Sequence, residues 1–567
     1  MTESMDVKVM DLCAEVWSWR LAESPELATY CGIHDRDDQL DDISEEAYAK
    51  REGAVRQFLK RAEEIDPKQC SRHKQSLLML RDQLQEYLNG TAYKCYYFPV
   101  NFLEGMHVDF IQNMYFMNFD TVDDFEKFVL RMEKLPKRIE QVQKALEKGV
   151  EVGMVMHKHS VEDVPSQLAE LIAAPIEDHP LIKPFTAEDK QVSDEDLEKL
   201  KTRAKDVLAS VIIPAFKKLK QFLENVYFYK LRPSESILSL PDGEKMYQQC
   251  LNFHLSCEMT PEEVHELGLT EVERIYQRIS ELAIREGYSH YYDYVQHVKK
   301  KDKEQFDSAK DLLNHVNDLC YNKIQPKLPA LVIPAPPILA NAPTGFYYAG
   351  TPDGSRPGLY HINIHNLEAI RRYELTALSL HEGEPGHHLQ SAYSLREQAL
   401  PDFRRYADDA KYYLAPHRFS CYTAYSEGWG LYCEALGEEM GLYEDGESLL
   451  GRYTYEILRA TRLVVDTGIH AFGWSRNRAI EYIKDHTLMM DYQSISDEVH
   501  RYVTWPGQAC AYKIGELKIW ELRHKAEKEL GAKFKLSAFH ECILRCGPVP
   551  LRFLQNIVDE YIRDNQE

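Results

Sequence analysis

The segment Leu378–Gln390 reads LSLHEGEPGHHLQ, with three histidines and two glutamates gathered around a Pro-Gly pair. A helix places residues i and i+4 on one face, which lets two imidazoles reach one ion at about 2.0–2.1 Å. Four residues beyond His381, however, stands Pro385. Its ring removes a backbone hydrogen bond and clashes with the preceding turn, and Gly386 adds freedom. The spacing therefore predicts a helix interrupted around Glu384, Pro385 and Gly386. An unwinding there carries His387 back towards His381. His388 competes for the same role: at i+7 it shares the face of His381 in an undistorted helix, though about 10.5 Å further along the axis. The expected metal ligands on this segment are His381 and His387, with His388 as the alternative second histidine. The other reading of the segment is a solvated, charged helix end.

Downstream, Tyr425–Gly441 reads YSEGWGLYCEALGEEMG. On a helix Glu427, Leu431, Glu434 and Glu438 share a face, and Trp429, Leu431 and Tyr432 make the segment apolar. More than one carboxylate can then point inward, the alternative being ordinary solvated glutamates. Upstream, GLYHINI (358–364) alternates, with Tyr360, Ile362 and Ile364 on one side and Leu359, His361 and Asn363 on the other. This predicts one short half-buried strand directly before the histidine-rich helix. Eight prolines between residues 326 and 358 make the preceding stretch extended or looped.

Residues 1–325 read as successive helices. TVDDFEKFVLRMEKLP (121–136) has a Thr121 cap, apolar residues at helical spacing and Pro136 as a stop. The helix that opens with TPEEV has Thr260 as cap, Pro261 at its first position and Glu263 closing a capping box. The expected architecture is mostly α and two-lobed, an N-terminal helical region (1–325) and a metal-binding region (326–567), with one short β element.

The 567-residue chain carries a net charge of −23 and no long basic tract. Such a surface repels phosphate backbones and anionic lipid, which argues against nucleic acid and membrane as partners. The N-terminus has acidic residues where a secretory signal needs a basic start, and prolines break the longest apolar run, LPALVIPAPPILA. Twelve scattered cysteines without a C-x-x-C fit a reduced, cytoplasmic setting.

Three motifs stand in order along the chain: HEGEPGHHLQ, EGWGLYCE and the late WPGQACAYKIG (505–515). With RLVVDTGIHAFGW and SRPGLYHINI they resemble the family catalogued as domain of unknown function 885, over most of the chain. A remoter resemblance is to helical zinc peptidases of the thimet-oligopeptidase and angiotensin-converting-enzyme groups, which set a strand, a histidine–glutamate helix and a glutamate helix in this order. The aminopeptidase pattern N-E-G-F-A is similar to SEGWG. These resemblances imply a metallopeptidase-like helical fold, one Zn2+ ion and Glu427 as the third ligand. The stretched first motif departs from H-E-x-x-H and leaves the second histidine open.

Three protein ligands leave a fourth position for water, whose pKa the ion lowers, and Glu382 is the expected general base. Arg462, Asp466 and His470 recur at i+4 steps, so Asp466 is expected to hold His470 towards the substrate as a catalytic donor. The alternative is a structural ion network. Gln508, Tyr512 and Lys513 follow WPG. Tyr512 is the expected catalytic oxyanion donor, and Gln508, Lys513 and Arg462 are expected to bind substrate; capping and surface polarity are the other reading. GLYHINI is a candidate for strand addition to an extended peptide. The expected function is a zinc-dependent peptidase, against a zinc hydrolase of non-peptide amides or esters and a non-catalytic helical binding protein.

Overall fold

Thr121 and Thr260 stand where apolar helical spacing begins, and in the computed structural model each closes a reciprocal capping box. Thr121 pairs with Asp124 on the helix Val122–Val152, and Thr260 with Glu263 on Pro261–Arg285. The structure describes residues 4–186, 191–301, 306–324, 330–336, 343–406, 411–487 and 491–566. The chain is mostly α, with 72% of it helical. Pro136 does not end its helix as expected. Ile139, Val142 and Leu146 continue the buried stripe beyond it, and burying that face outweighs the lost hydrogen bond.

These stripes meet in a large apolar cluster drawn from both ends of the chain, from Val9 and Trp17 through Phe128 to Trp429, Ile519 and Ile562. The stretches 1–325 and 326–567 thus share a core. Pro261–Arg285 also packs along Gly446–His470 across that boundary. Among the described residues, no helix is long and apolar enough to cross a membrane.

The strand expected at GLYHINI is the centre of a three-stranded sheet. β1 (Leu331–Pro334), β2 (Gly345–Tyr348) and β3 (Leu359–Ile362) are ordered β1-β3-β2, with β3 parallel to β1 and antiparallel to β2. Both flanks of β3 are occupied, so it cannot receive a peptide strand. Tyr360 and Ile362 are fully buried on one face, and His361 stacks on Phe346 at 4.8 Å on the other. β1 and β2 lie within the proline-rich stretch, where Pro334 closes an edge strand that needs no ladder bond from it. Residues 326–329 and 337–342 of that stretch lie outside the described residues. The Asn363 N–H donates to the Thr344 carbonyl at 2.9 Å. The alternation of an antiparallel ladder therefore turns the main-chain groups of Gly345 and Tyr347 away from β3.

Behind the sheet, Leu375–Glu382 and His387–Arg396 pack against Thr423–Glu439, which lies along Ala511–Leu530.

Candidate metal centre

His381 sits in the last turn of Leu375–Glu382, and His387 opens His387–Arg396. The break falls where Pro385 predicts it. Gly386 is backed so closely onto the preceding turn that a Cβ would stand 1.9 Å from the His381 carbonyl oxygen and 2.4 Å from that of Leu380. Only glycine permits this approach. Trp429 anchors the turn from the neighbouring helix, its buried indole Nε1–H donating to the Pro385 carbonyl at 2.8 Å.

This break brings three donor groups together. Glu427 Oε2 lies 3.3 Å from His381 Nε2 and 3.5 Å from His387 Nε2. One donor atom from each of the three residues lies within 4.8 Å of the others. Bonds of 2.0–2.1 Å put neighbouring corners of a tetrahedron about 3.3 Å apart, so the two measured separations suit a shared zinc ion. His/His/Glu is also a donor set that zinc accepts.

Gly430 provides the space for one of these ligands. A Cβ there would lie 2.6 Å from His381 Cε1 and 2.7 Å from Nε2. In this gap the imidazole spans two carboxylates of one helix, with Nε2 towards Glu427 and Nδ1 2.8 Å from Oε1 of the buried Glu434. A carboxylate on the second ring nitrogen fixes the tautomer and orientation of a metal-ligating histidine. Burial disfavours an imidazolium at His381, yet Glu427 and Glu434 outweigh it and carry its pKa up to about 10. Burial acts to raise Glu427, but the two imidazoles hold its carboxyl well below the usual range. The centre is a buried region of negative potential that retains positive charge.

Glu382 follows His381 directly and is 7% exposed. Burial raises its pKa, opposed by His381 and His387 and reinforced by Glu427. The Tyr512 ring lies 6.5 Å from that of His381, with its plane tilted 27°. Its hydroxyl accepts from Arg501 at 3.0 Å. His387 and Glu427 form part of the wall of a cavity of about 430 Å³, whose other walls include Trp17, Tyr30, Glu104, Tyr347, Tyr412 and Trp505.

The remaining sequence candidates lie apart from the three donors. His388 turns towards the sheet, sharing a 3.0 Å hydrogen bond between its Nδ1 and the Tyr347 hydroxyl. Arg462 donates to Glu498 at 2.9 Å and stacks 4.7 Å from the Tyr512 ring centre. Gln508 Oε1 accepts from Arg501 at 2.7 Å. Lys513 is fully buried, with its ammonium donating to Glu456 at 2.8 Å and Glu516 at 2.5 Å, and lying 3.0 Å from Glu271. These contacts place Arg462 in the structural ion network that was its alternative reading, and Lys513 in a buried ion cluster with Glu271, Glu456 and Glu516.

His470 is also fully buried. Its Nδ1 accepts from the Ile237 N–H at 3.2 Å, and its Nε2–H donates to the Tyr502 carbonyl at 2.9 Å. Asp466 does not orient it; that carboxylate accepts from the Tyr247 hydroxyl at 2.7 Å and the Gly507 N–H at 3.0 Å. Burial pushes the His470 pKa down to about 3, helped by Arg232 and opposed by the Tyr502 carbonyl. Below pH of about 6.5 the unfolded chain therefore takes up a proton that the folded chain refuses, and stability falls as pH falls. Between pH 6 and 4, His470→Gln is expected to flatten this dependence by about 1.4 kcal/mol per pH unit. Urea unfolding at several pH values checks it, and parallel curves for the two proteins would refute the assignment.

Sequence reasoning put Glu434 on the Glu427 face without giving it a partner, and it missed Gly430 and Arg501. It also missed the N-terminal wall. There Glu104 accepts from the N–H groups of Tyr412 at 2.6 Å and Tyr413 at 3.0 Å and from Trp505 Nε1 at 2.7 Å, fixing two segments of the cavity. A lone glutamate in NFLEGM carries no signal of that task.

The family described as "Bacterial protein of unknown function (DUF885)" matches residues 25–558. No curated protein matches the chain. A solved structure described as "putative lipoprotein" from Colwellia psychrerythraea is similar over 99% of this chain and 100% of its own, with 25% identity and a TM-score of 0.89. Another, described as a "putative lipoprotein of unknown function" from Shewanella oneidensis, covers 96% of this chain and 98% of its own at 18% identity and TM-score 0.68, a likeness of fold alone.

Proposed function

The chain belongs to the DUF885 family, and we propose that it is a zinc-dependent hydrolase that cleaves peptides. The observation that carries this reading is the convergence of His381, His387 and Glu427, with Glu427 Oε2 3.3 and 3.5 Å from the two imidazoles, beside a cavity that His387 and Glu427 line. These three residues would hold the ion, which when bound supplies a Lewis acid and lowers the pKa of water. Glu434 holds the His381 ring in place. Glu382 takes a proton from the attacking water and returns it to the leaving amine. Because the Tyr512 hydroxyl accepts from Arg501, its own proton is free to serve a developing oxyanion.

Peptides are the favoured substrate class because the edge strand β2 reaches the cavity through Tyr347 and Tyr348. Its outward main-chain groups suit strand addition, the role that β3 cannot fill. The cavity of about 430 Å³ accommodates a short peptide and excludes a folded protein. A cytoplasmic setting is part of the proposal, supported by twelve free thiols, most of them buried.

Metal analysis combined with a mixed peptide library read by mass spectrometry tests the reading. Glu427→Ala is expected to hold one zinc ion fewer per chain than the wild type and to leave the library uncut. Unchanged zinc content would remove Glu427 from the centre. Zinc-loaded wild type that spares every peptide but hydrolyses simple esters or amides would move the substrate to that class.

A further inference from the structure

A second group of imidazoles and carboxylates lies where the short helix Lys158–Val161, the turn before Ser236 and the helix Tyr492–Thr504 meet. None of its residues lines the cavity of the first centre. His157 caps the short helix, its Nδ1 accepting from the His159 N–H at 3.3 Å, which leaves Nε2 for another partner. His159 is held by a carboxylate, with Nδ1 2.6 Å from Glu162 Oε1. One donor atom each from His157, His159 and Glu235 lies within 4.8 Å of the others. His159 is also grouped with Glu162 and His500 on the same criterion. His500 serves as a backing for the site, since it stacks on His159 at 4.4 Å and 7° and its Nε2 accepts from Arg476 Nε at 2.8 Å.

We propose that His157, His159 and Glu235 form a second divalent-cation site, with Glu162 orienting His159 from behind. The donor set, two imidazoles and a carboxylate, selects a borderline ion such as Zn2+ or Ni2+ over Mg2+ or Ca2+. Glu162 holds Nδ1 of His159 as Glu434 holds Nδ1 of His381, a carboxylate fixing the ring and leaving Nε2 for an ion. Arg232 and Arg476 bring positive charge close to the cluster, and Glu235 and Glu162 offset it. His159 and Glu235 are half-buried, so an ion can enter from solvent. Once bound it would fasten the short helix to the turn at Glu235 and, through the His159–His500 stack, to the helix that carries Arg501.

Native mass spectrometry of the full chain, stripped of metal and titrated with Zn2+, tests this independently of the first centre. His159→Asn and Glu235→Gln are each expected to hold one ion fewer per chain than the wild type, whatever the wild-type count. Equal counts in wild type and variants would overturn the proposal. Glu235 lies on a turn and accepts from the Arg476 main-chain N–H at 3.4 Å. Glu235→Gln therefore keeps the test decisive should the histidine variant misfold.

Discussion

Glu382→Gln is expected to lower kcat/KM for peptide hydrolysis by about 10²–10⁴-fold while leaving zinc content unchanged, the range by which positioned proton transfer contributes to a rate. Glutamine keeps the shape and polarity of the side chain and removes its ability to accept a proton. Glu382 is 7% exposed, closes the helix that presents His381, and feels the charges of His381, His387 and Glu427. A group so placed cannot be exchanged for bulk water without loss. Steady-state kinetics on a peptide taken from the library, with metal analysis of the same preparation, separates the outcomes. Cleavage within a factor of about two of wild type would mean that the base is another group. A fall in zinc together with activity would make Glu382 a support of the centre instead.

Lys513→Met is expected to destabilise the fold by about 3–5 kcal/mol, the usual loss when one partner of a buried ion cluster is removed. Lys513 is fully buried and meets Glu271, Glu456 and Glu516. Arg274 and Arg452 also reach Glu456 and offset part of the loss. The methionine would leave carboxylates short of a counter-charge where water cannot replace it. Urea unfolding measures the change, and peptide kinetics give the contrast with a substrate-binding lysine. Unchanged stability with a raised KM would return Lys513 to the substrate. Restoring stability by the further change Glu456→Leu would show that the unpaired charge, and not lost packing, was the cost.

The polar stripe Arg462, Asp466 and His470 marks the limit of periodicity. Arg462, Asp466 and His470 do lie along one helix, and Gln508 and Tyr512 do follow WPG closely, so their periodicity was legible. Which surface that helix face meets is set by other segments. Glu498 and Tyr502 claim Arg462, Tyr247 and Gly507 claim Asp466, and the Tyr502 carbonyl takes the N–H that His470 was expected to offer. Periodicity fixes a direction on a helix but does not name the neighbour. The strand was found for the same reason that its sheet was not: alternation is local, and the order β1-β3-β2 depends on two partners within the proline-rich stretch, which do not alternate.

The sequence by itself determined the mostly helical architecture, through apolar spacing and capping residues, and the break after Glu382, because proline and glycine act on the backbone next to them. It also supplied the chemistry of the centre in the types of its side chains. Only the tertiary structure decided that His387 and not His388 faces His381. The direction taken by a chain leaving an interrupted helix depends on contacts beyond the interruption. Here these are the Trp429 bond to Pro385, the gap left by Gly430, and the Tyr347 hydroxyl that draws His388 away.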